Sequence, residues 1–517
     1  MRLGIDFGTT RTVVAAVDRG NYPILPFEDP DGAVVDWFPS LVAVKGNQRL
    51  YGWQAWACQQ YPNWTIVRSL KRVLQDAGPN TVVQLGDSAV PLNQVLHEMA
   101  SALRAALLQQ QQRLEVVLGV PANANSNQRF LTVEAFRLAG CDVIGLLNEP
   151  SAACIEYGHK TKVTGVILVY DLGGGTFDAS LVTIGEKTHE VLATEGIQTL
   201  GGDDFDEILA EMAVSDEDRQ ELSQSEQFKL LEECRLKKET VHPNTRKIAI
   251  DLDNVREGWG TVSVPAADYY ERCRPLVEET LQVVEDLLVK HMPGGELEAL
   301  YVTGGGSELP IVNRMLKERF GKRVRRSVHA RSATAIGLAI QADQQAGYVL
   351  SEKFSRYFGV WRESDSGKKV IFDPLFTKGA ILPRPSEEPL EIRRRYTPVH
   401  NIGHFRYIEC TYMVEDGQPG GDVTVWDEIR FPFDPALQAS DDTPVTHSAA
   451  AASEQIEERY STNSSGAVTV TITNLTSGYS RQYRLGRWAS ADPTPSKPRV
   501  RHRAYKTAAL RAKTGRG

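Results

Sequence analysis

Two short segments of the chain place an acidic residue, glycine and a hydroxyl residue in the same order. They are residues 6–10 (DFGTT) and 171–178 (DLGGGTFD), and apolar runs over residues 3–5 and 166–170 precede them. The β-branched and aromatic residues of these runs predict strands. Because glycine has no Cβ, a glycine turn can bring its N–H groups against phosphate oxygens, and an aspartate can face a hydrated divalent cation on the same phosphates. One such turn is common, but two predict the halves of a phosphate clamp.

Composition places the chain among ordinary cytoplasmic proteins. It has 517 residues, enough for two to four domains, with 41% hydrophobic and 24% charged residues. The net charge of −8 argues against general nucleic-acid binding. Six scattered cysteines without a CxxC pair give no zinc signature and suit a reducing cytosol. Asp6 and Arg11 interrupt the first apolar run, so we expect no signal peptide, and no apolar stretch is long enough to span a membrane.

The pattern of apolar residues divides the chain. Over residues 1–345, strand-like runs alternate with helical stripes, which predicts an α/β domain. Within it, the charged stretch 215–239 predicts one long solvated helix. Residues 346–352 form a candidate linker, and short alternating segments in 353–490 predict a small β-sandwich-like domain. Residues 491–517 are basic and contain too few apolar residues for a core, so we expect a disordered tail.

Further motifs follow in a recognisable order: LKR at 70–72, VPA…QR at 120–129, NEPSAA at 148–153, LGGDDFD at 200–206, and GGG followed by proline at 304–310. Together with the two clamp segments, this order closely resembles the ATPase domain of the 70-kilodalton heat-shock chaperones over the first two thirds of the chain. The resemblance to actin, bacterial actin-like filament proteins and sugar kinases is more distant. The chaperone resemblance implies a two-lobed, actin-like (ribonuclease-H-like) domain that slowly hydrolyses ATP to ADP and phosphate in the cleft between its lobes.

The resemblance also implies roles for individual residues. Asp6 and Asp171 would hold Mg²⁺ through water, with K⁺ as a further candidate cation. Lys71 would place positive charge beside the γ-phosphate, and Glu149 and Asp178 would orient the attacking water; with Asp171 these are the candidate catalytic residues. The nucleotide would be bound by Gly8, Thr9, Thr10, Gly173, Gly174, Gly175, Thr176, Gly201, Gly202, Lys238, Gly304, Gly305, Gly306 and Glu308.

Each of these residues also has a structural interpretation. Lys71 sits in a basic pair that could simply be solvated, and Glu149 could be a helix-entry acid. Asp203 and Asp204 could only cap the following helix. Pro121 and Arg129 match positions that relay nucleotide state in the family, but they could equally be a turn proline and a surface arginine.

The chain departs from the family pattern in three places. The family's adenine-packing segment has a serine and an arginine, whereas this chain has Gly306 and Glu308 at those positions. The family also has an acidic residue as the partner of the lysine that matches Lys238, and this chain has Arg235 at that position. The leucine-rich linker keeps only its Val-Leu pair at 349–350. The chain has no room for the family's helical lid, which predicts loose, fast-exchanging binding of peptide.

The interpretation we favour is an ATP-hydrolysing chaperone-like protein whose nucleotide state controls binding of unfolded or extended polypeptide by the β-domain. A J-domain co-chaperone and a nucleotide exchange factor are the implied partners, and only the basic tail is a candidate for nucleic-acid contact. The alternative is a nucleotide-dependent scaffold with little ATPase or foldase activity. A filament protein or sugar kinase fits the motif order poorly. His400, His404 and Cys410 lie on strand-like sequence, which does not favour a metal site.

Overall fold

The computed structural model describes residues 1–485, except for 62, 75–76, 78–80, 87, 108–112, 123, 162, 352, 355, 365–368, 384–386, 415–416, 438–442, 464–465 and 467. Its secondary structure follows the alternation expected from the sequence: helices and strands are mixed through the first 348 residues, and strands dominate beyond them. The predicted disordered tail at 491–517 and the predicted absence of a helical lid fall on residues outside this description, so both stay predictions.

The first lobe is built around a five-stranded sheet of order β12-β11-β1-β2-β5. The hairpin of β1 and β2 is antiparallel, and β11 pairs in parallel with β1 on its other side. The elements of this part of the chain are β1 (Arg2–Phe7), β2 (Arg11–Ala16), β3 (Phe27–Glu28), β4 (Val34–Val35), β5 (Phe38–Pro39), β6 (Val42–Lys45), β7 (Gln48–Tyr51), α1 (Trp53–Ala57), β8 (Thr65–Val67), α2 (Leu70–Val73), β9 (Val82–Leu85), β10 (Ser88–Pro91), α3 (Leu92–Leu107), β11 (Glu115–Val120), α4 (Ser126–Leu138), β12 (Asp142–Asn148) and α5 (Glu149–Thr161).

The second lobe repeats this arrangement. Its sheet has the order β19-β18-β13-β14-β15-β20, in which the hairpin of β13 and β14 is antiparallel and β18 pairs in parallel with β13. Its elements are β13 (Gly165–Leu172), β14 (Phe177–Ile184), β15 (Thr188–Ile197), α6 (Gly202–Ala213), α7 (Asp216–Gln220), α8 (Gln224–Glu239), β16 (Lys247–Asp251), β17 (Thr261–Pro265), α9 (Ala266–His291), β18 (Ala299–Thr303), α10 (Pro310–Phe320), β19 (Val324–Arg326), α11 (Ala333–Ala342) and β20 (Val349–Ser351).

Each lobe has its own hydrophobic core, and α11 lies between the lobes. Leu338 and Ala339 of α11 share a buried cluster with Val13 of the first sheet and with Ile155 of α5. Gly337 allows this packing, because a Cβ there would lie 1.8 Å from the carbonyl oxygen of Ala152. The two lobes are therefore held together at their base by closely packed helices.

The expectation of one long solvated helix over residues 215–239 is wrong. Two helices, α7 and α8, replace it, and Ser223 begins the second with a capping box: its hydroxyl accepts from the backbone N–H of Glu226, whose carboxylate accepts from Ser223 in return. One side of α8 is buried, including Phe228, Leu230 and Arg235. The charged composition concealed this face because several of its charges pair inside the protein.

The last part of the chain is a pair of four-stranded sheets, as the sequence predicted in outline. Their orders are β22-β21-β24-β25 and β23-β26-β27-β28, and they enclose one core that includes Trp426, Tyr407 and Tyr460. The strands are β21 (Tyr357–Ser364), β22 (Lys369–Phe376), β23 (Leu390–Tyr396), β24 (Ile402–Met413), β25 (Pro419–Pro432), β26 (Ile456–Thr462), β27 (Val468–Asn474) and β28 (Ser480–Arg484). The domain boundaries given above remain predictions.

Candidate functional site

A cavity of about 190 Å³ lies between the two lobes, where the turns of the two hairpins face each other. It brings together most of the residues that the motifs singled out, although they are spread over 300 positions of the chain. The predicted residues that line it are Asp6, Gly8, Thr9, Thr10, Lys71, Glu149, Asp171, Gly173, Gly174, Thr176, Gly202, Lys238, Gly304, Gly305 and Gly306.

Four of the predicted residues lie behind or beside this cavity. Gly175 packs against Thr9, and Gly201 packs against the backbone of Gly174. Asp178 is buried on β14, opposite Asp171 in the hairpin register. Glu308 lines a neighbouring cavity instead.

The glycine turn of the second lobe is packed too closely for any other residue. A Cβ on Gly174 would lie 2.5 Å from the Thr10 hydroxyl oxygen, and one on Gly201 would lie 2.6 Å from the Gly174 backbone. The N–H groups of Gly202 and Asp203 donate to the carbonyls of Gly173 and Gly174 at 2.9 and 2.7 Å, which fixes the turn. This close approach of two backbones is what a phosphate cradle requires.

Four carboxyl groups, three of them lining the cavity, lie around the buried amine of Lys71. Lys71, from α2, contacts Glu149, the first residue of α5. Burial by itself would lower the pKa of Lys71, but the carboxylates of Glu149 and Asp6 raise it above its usual value, so the amine stays charged. Burial, reinforced by Glu149, raises the pKa of Asp6 to about 7 and that of Asp178 also to about 7.

The pKa of Asp171 is likewise raised well above its usual range, first by burial and then by the neighbouring carboxylates. Raised values of this kind mark a site with too little positive charge for its acids. A divalent cation is the group that relieves such an excess, and oxygen ligands suit Mg²⁺. Among the described residues, no group of three or more His, Cys, Asp or Glu side chains is placed to hold a metal ion.

Asp203 and Asp204 have different surroundings. The Asp204 carboxylate accepts from the backbone N–H of Gly201 at 2.7 Å and so caps α6, as its structural interpretation proposed. The Asp203 carboxylate instead accepts from Ser69 at 2.9 Å and lies 3.6 Å from Arg68 across the cleft. Asp203 therefore ties the two lobes together beside the cavity.

The sequence motifs missed a cluster of aromatic and charged side chains that lines part of the cavity. The guanidinium of Arg11 lies 4.5 Å from the ring centre of Trp37, and that of Arg235, from the other lobe, lies 5.8 Å from the same ring. Arg11 and Arg331 pair with Glu239 at 2.8 and 2.9 Å. Arg11 could have been identified from the sequence, because it directly follows the first clamp segment. Nothing in the local sequence marks Trp37 or Arg331 as residues of the site.

The Glu239 carboxylate is the centre of this cluster. Burial alone would raise the pKa of Glu239, but the guanidiniums of Arg11, Arg235 and Arg331 lower it to about 2. Arg331 also pairs with Glu308 at 2.6 Å. Glu308 is thus engaged by a guanidinium from another segment, at the place where the resemblance led us to expect an arginine.

A second cavity of about 430 Å³ adjoins this cluster and shares part of its wall with the first. The shared residues include Lys238, whose amine donates to the Gly202 carbonyl at 2.6 Å and pairs with Asp206 at 2.6 Å. Val241, Leu309 and Pro310 contribute apolar wall to the second cavity. Its position next to the phosphate cradle suits the nucleoside end of a nucleotide.

Arg129 is buried, so its interpretation as a surface arginine is wrong. Its guanidinium donates to the side chain of Asn148, which directly precedes Glu149. The other side of Arg129 lines a small cavity together with Leu382 and Gly466 of the β-domain. The residue therefore lies between the catalytic candidates and the second part of the chain.

Comparison with known proteins agrees with this geometry. A sequence profile of the Hsp70 protein family matches residues 88–354. The chain belongs to the Hsp70 family. Curated relatives include proteins named "Chaperone protein HscA homolog" from Actinobacillus pleuropneumoniae serotype 5b (34% identical over 370 residues, 67% of this chain) and from Aliivibrio fischeri strain MJ11 (34% over 375 residues, 67% of this chain).

This Hsp70 family member spans 58% of the length of these relatives. The family assignment confirms the chaperone resemblance seen in the motifs. Over the described residues, no helix combines the length and apolar character needed to cross a membrane.

Proposed function

We propose that the protein hydrolyses ATP in the cleft and uses the nucleotide state to control binding of extended polypeptide by its β-domain. The observation that supports the proposal most strongly is the buried contact of Lys71 with Glu149, surrounded by Asp6, Asp171 and Asp178. A charged amine among buried acids suits a Mg²⁺-bound triphosphate, because it adds positive charge where the transferred phosphoryl group develops negative charge.

We assign the following roles to the residues of this site. The turns at 8–10 and 173–176 bind the phosphates through backbone N–H groups and the hydroxyls of Thr9, Thr10 and Thr176. Lys71 neutralises phosphate charge, and Glu149 orients the attacking water, with Asp178 behind it. Mg²⁺, when held through water by Asp6 and Asp171, screens the phosphates. Positioning and charge provide the catalysis, since phosphoryl transfer needs little covalent help.

The second cavity would bind the nucleoside, with Lys238 beside the ribose and the ion pair of Glu308 and Arg331 beside the nucleobase. Adenine remains the proposed base, and ATP, ADP, Mg²⁺ and K⁺ remain the proposed ligands. A cytoplasmic protein that works with a J-domain partner and an exchange factor is consistent with relatives that are named chaperones.

Contacts between the two parts of the chain offer a route for coupling. The segment expected to be a linker contributes β20, which pairs in parallel with β15 of the second lobe. Lys353, just beyond, pairs with Glu190 of β15 at 3.0 Å. Because β15 itself leads into the loop at 200–202 beside the phosphate cradle, a change at the nucleotide can be transmitted to the β-domain through this sheet.

ATP turnover with and without an unfolded peptide tests the proposal. We expect slow, Mg²⁺-dependent turnover that peptide stimulates weakly, and loss of at least 100-fold in Lys71→Ala, about 3 kcal/mol of transition-state stabilisation. Retained nucleotide binding with no turnover in the wild type would instead support the alternative, a nucleotide-dependent scaffold. A wild-type protein that binds no nucleotide at all would exclude both.

A further inference from the structure

Ser69, which directly precedes the helix α2 that carries Lys71, has a left-handed backbone. Its φ and ψ are 60° and 32°. Among the described residues other than glycine, only Arg19 shares a positive φ, and Arg19 lies in an exposed turn. Residues with a Cβ rarely adopt this conformation, so surrounding contacts must hold it, and such residues are concentrated at functional sites. The contacts that hold Ser69 therefore indicate what it does.

The hydroxyl of Ser69 does not cap the helix that it begins. A serine at this position usually accepts a hydrogen bond from a backbone N–H of the first helical turn. In this protein no such bond forms, and the Ser69 hydroxyl donates instead to the carboxylate of Asp203 at 2.9 Å. Asp203 belongs to α6 of the second lobe, whereas Ser69 belongs to the first. The serine is thus bound across the cleft.

Asp203 is bound to the phosphate turn at 173–176 and keeps its charge. Its backbone N–H donates to the carbonyl of Gly174 at 2.7 Å. Burial alone would raise the pKa of Asp203. The guanidiniums of Arg68 and Arg72, followed by the hydrogen bond from Ser69, bring that pKa below its usual value. The carboxylate therefore stays ionised, and a charged acceptor strengthens the hydrogen bond from the serine.

The other end of the turn that carries Lys71 is also held by the second lobe. Arg72 pairs with Asp204 at 3.2 Å, and a Cβ on Gly175 would lie 2.8 Å from the Arg72 Nε, so the arginine packs closely on the phosphate turn. The N–H of Arg72 donates to the carbonyl of Ser69 at 2.9 Å and closes the turn. Lys71 thus lies between two residues that are both bound to the second lobe.

Apolar residues attach the same turn to the first lobe. Leu70 of α2 and Leu74 directly after it are buried in the core of that lobe. The Lys71 amine contacts Glu149 of α5. The turn is therefore bound to one lobe by apolar contacts and to the other by polar contacts, and both sets are made together only when the lobes are closed. The position of the Lys71 amine relative to the phosphate turns depends on that closure.

We propose that Ser69 is a positioning residue, whose hydrogen bond to Asp203 fixes the Lys71 amine against the terminal phosphate only when the two lobes are closed. The proposal rests on the proposed function, and it adds a control to that site, because hydrolysis is suppressed while the cleft is open. Misplacing a catalytic group by about 1 Å can cost about 100-fold in rate, so the loss of one hydroxyl is sufficient for a measurable effect.

Single-turnover hydrolysis of bound ATP by the full chain tests the proposal, because its rate does not include nucleotide release. Ser69→Gly keeps the left-handed backbone and removes the hydroxyl. We expect hydrolysis to slow about 10-fold or more, while ADP affinity changes less than about threefold. Ser69→Ala also disfavours the backbone conformation and should slow hydrolysis further. Ser69→Asn tolerates this conformation and supplies an N–H donor, so it should recover part of the rate.

The Lys71→Ala background separates positioning from a purely structural role. If Ser69 acts through Lys71, then Ser69→Gly should not slow hydrolysis further once the lysine is absent, because the effects of residues that act as a unit are not additive. Asp203→Ala removes the acceptor of the same hydrogen bond and should slow hydrolysis as well. Adding Ser69→Gly to Asp203→Ala should have little further effect.

Ser215→Gly is the matched control. Ser215 begins α7 on the surface of the second lobe, and its hydroxyl donates to Asp218 at 2.6 Å. The same substitution there also removes a serine–aspartate hydrogen bond and should leave hydrolysis unchanged. Equal slowing by Ser69→Gly with and without Lys71, no slowing in either background, or an equal effect of Ser215→Gly overturns the positioning role.

The design also separates this proposal from the proposed hydrolysis. A wild type without turnover refutes hydrolysis, and the position of Lys71 is then measured by the preference for a non-hydrolysable ATP analogue over ADP. Ser69→Gly should reduce that preference about threefold or more, since only the triphosphate presents a γ-phosphate to the amine. An unchanged preference overturns the positioning role. A chain that binds neither nucleotide excludes both proposals.

Discussion

At the scale of single residues, His189 is a buried polar group that has no hydrogen-bond partner among the described residues. It lies on β15 with neither ring nitrogen hydrogen-bonded, against Tyr348 and close to Gly158 of α5. Burial lowers the pKa of His189 to about 4, so the folded protein holds the ring neutral. The unfolded chain binds a proton below pH about 6.5, and His189 therefore destabilises the fold as the pH falls from about 6.5 towards 4.

His189→Leu should consequently stabilise the protein. At pH 7 we expect a gain of about 1 kcal/mol in the free energy of unfolding, because an apolar side chain replaces an unsatisfied polar one. The gain should grow by roughly 2 kcal/mol at pH 5, since the leucine variant has no proton to bind on unfolding. Urea unfolding at both pH values measures it. The exposed His242→Gln is the control, and a gain that shrinks on acidification would contradict the argument.

At the scale of elements, the cleft is closed by side chains that come from both lobes. Trp37, in the segment between β4 and β5, packs against Trp53 and Trp56 and receives Arg11 and Arg235 over its ring. Arg235 belongs to α8 of the second lobe, so the contact must break when the lobes separate. Each cation–π contact contributes about 0.5–1 kcal/mol.

Trp37→Ala should therefore speed nucleotide release. Only the contact with Arg235 joins the two lobes, and its loss corresponds to about a 2- to 5-fold faster release of a fluorescent ADP analogue, measured by stopped-flow. Trp259→Ala is the matched control, because Arg256 lies 4.9 Å from its ring centre within the second lobe. Equal release rates in Trp37→Ala and the wild type would show that this cluster does not hold the lobes closed.

The same cluster shows what the sequence could and could not predict. The two phosphate turns were predictable because glycine, acid and hydroxyl stand together in the chain, and local chemistry requires them together. Trp37 and Arg331 reach the site from distant segments through tertiary packing, which leaves no mark in local sequence. In α8 the acids and arginines looked solvated, yet Glu232 and Arg235 pair inside the protein. Strands of the β-domain were predictable from alternation, but the ion pairs of Arg362 with Asp373 and Glu458 depend on β21, β22 and β26 meeting in space.

At the scale of the whole molecule, the β-domain packs on the first lobe as well as on the second. The guanidinium of Arg484, at the end of β28, lies 5.6 Å from the ring centre of Phe130 on α4. Arg129, which directly precedes Phe130 in the sequence, donates a hydrogen bond to Asn148 beside Glu149. The residues proposed to act on the nucleotide are thus separated from the β-domain by only one side chain. We therefore expect the weak coupling between the nucleotide site and the β-domain to depend on the contact of Arg484 with Phe130.

Arg484→Ala should reduce coupling without affecting the chemistry. We expect basal ATP turnover to stay within about twofold of the wild type, because Arg484 lies outside the cavity, while the stimulation by bound peptide falls about 2- to 5-fold for the loss of one cation–π contact. Arg481→Ala is the control: it lies on the same strand, 5.4 Å from the ring centre of Tyr479 in its own domain, and removes the same kind of contact. Turnover is measured with saturating ATP, with and without peptide. If both variants lose stimulation equally, the effect comes from the β-domain itself; if neither does, coupling runs through the β15–β20 sheet alone.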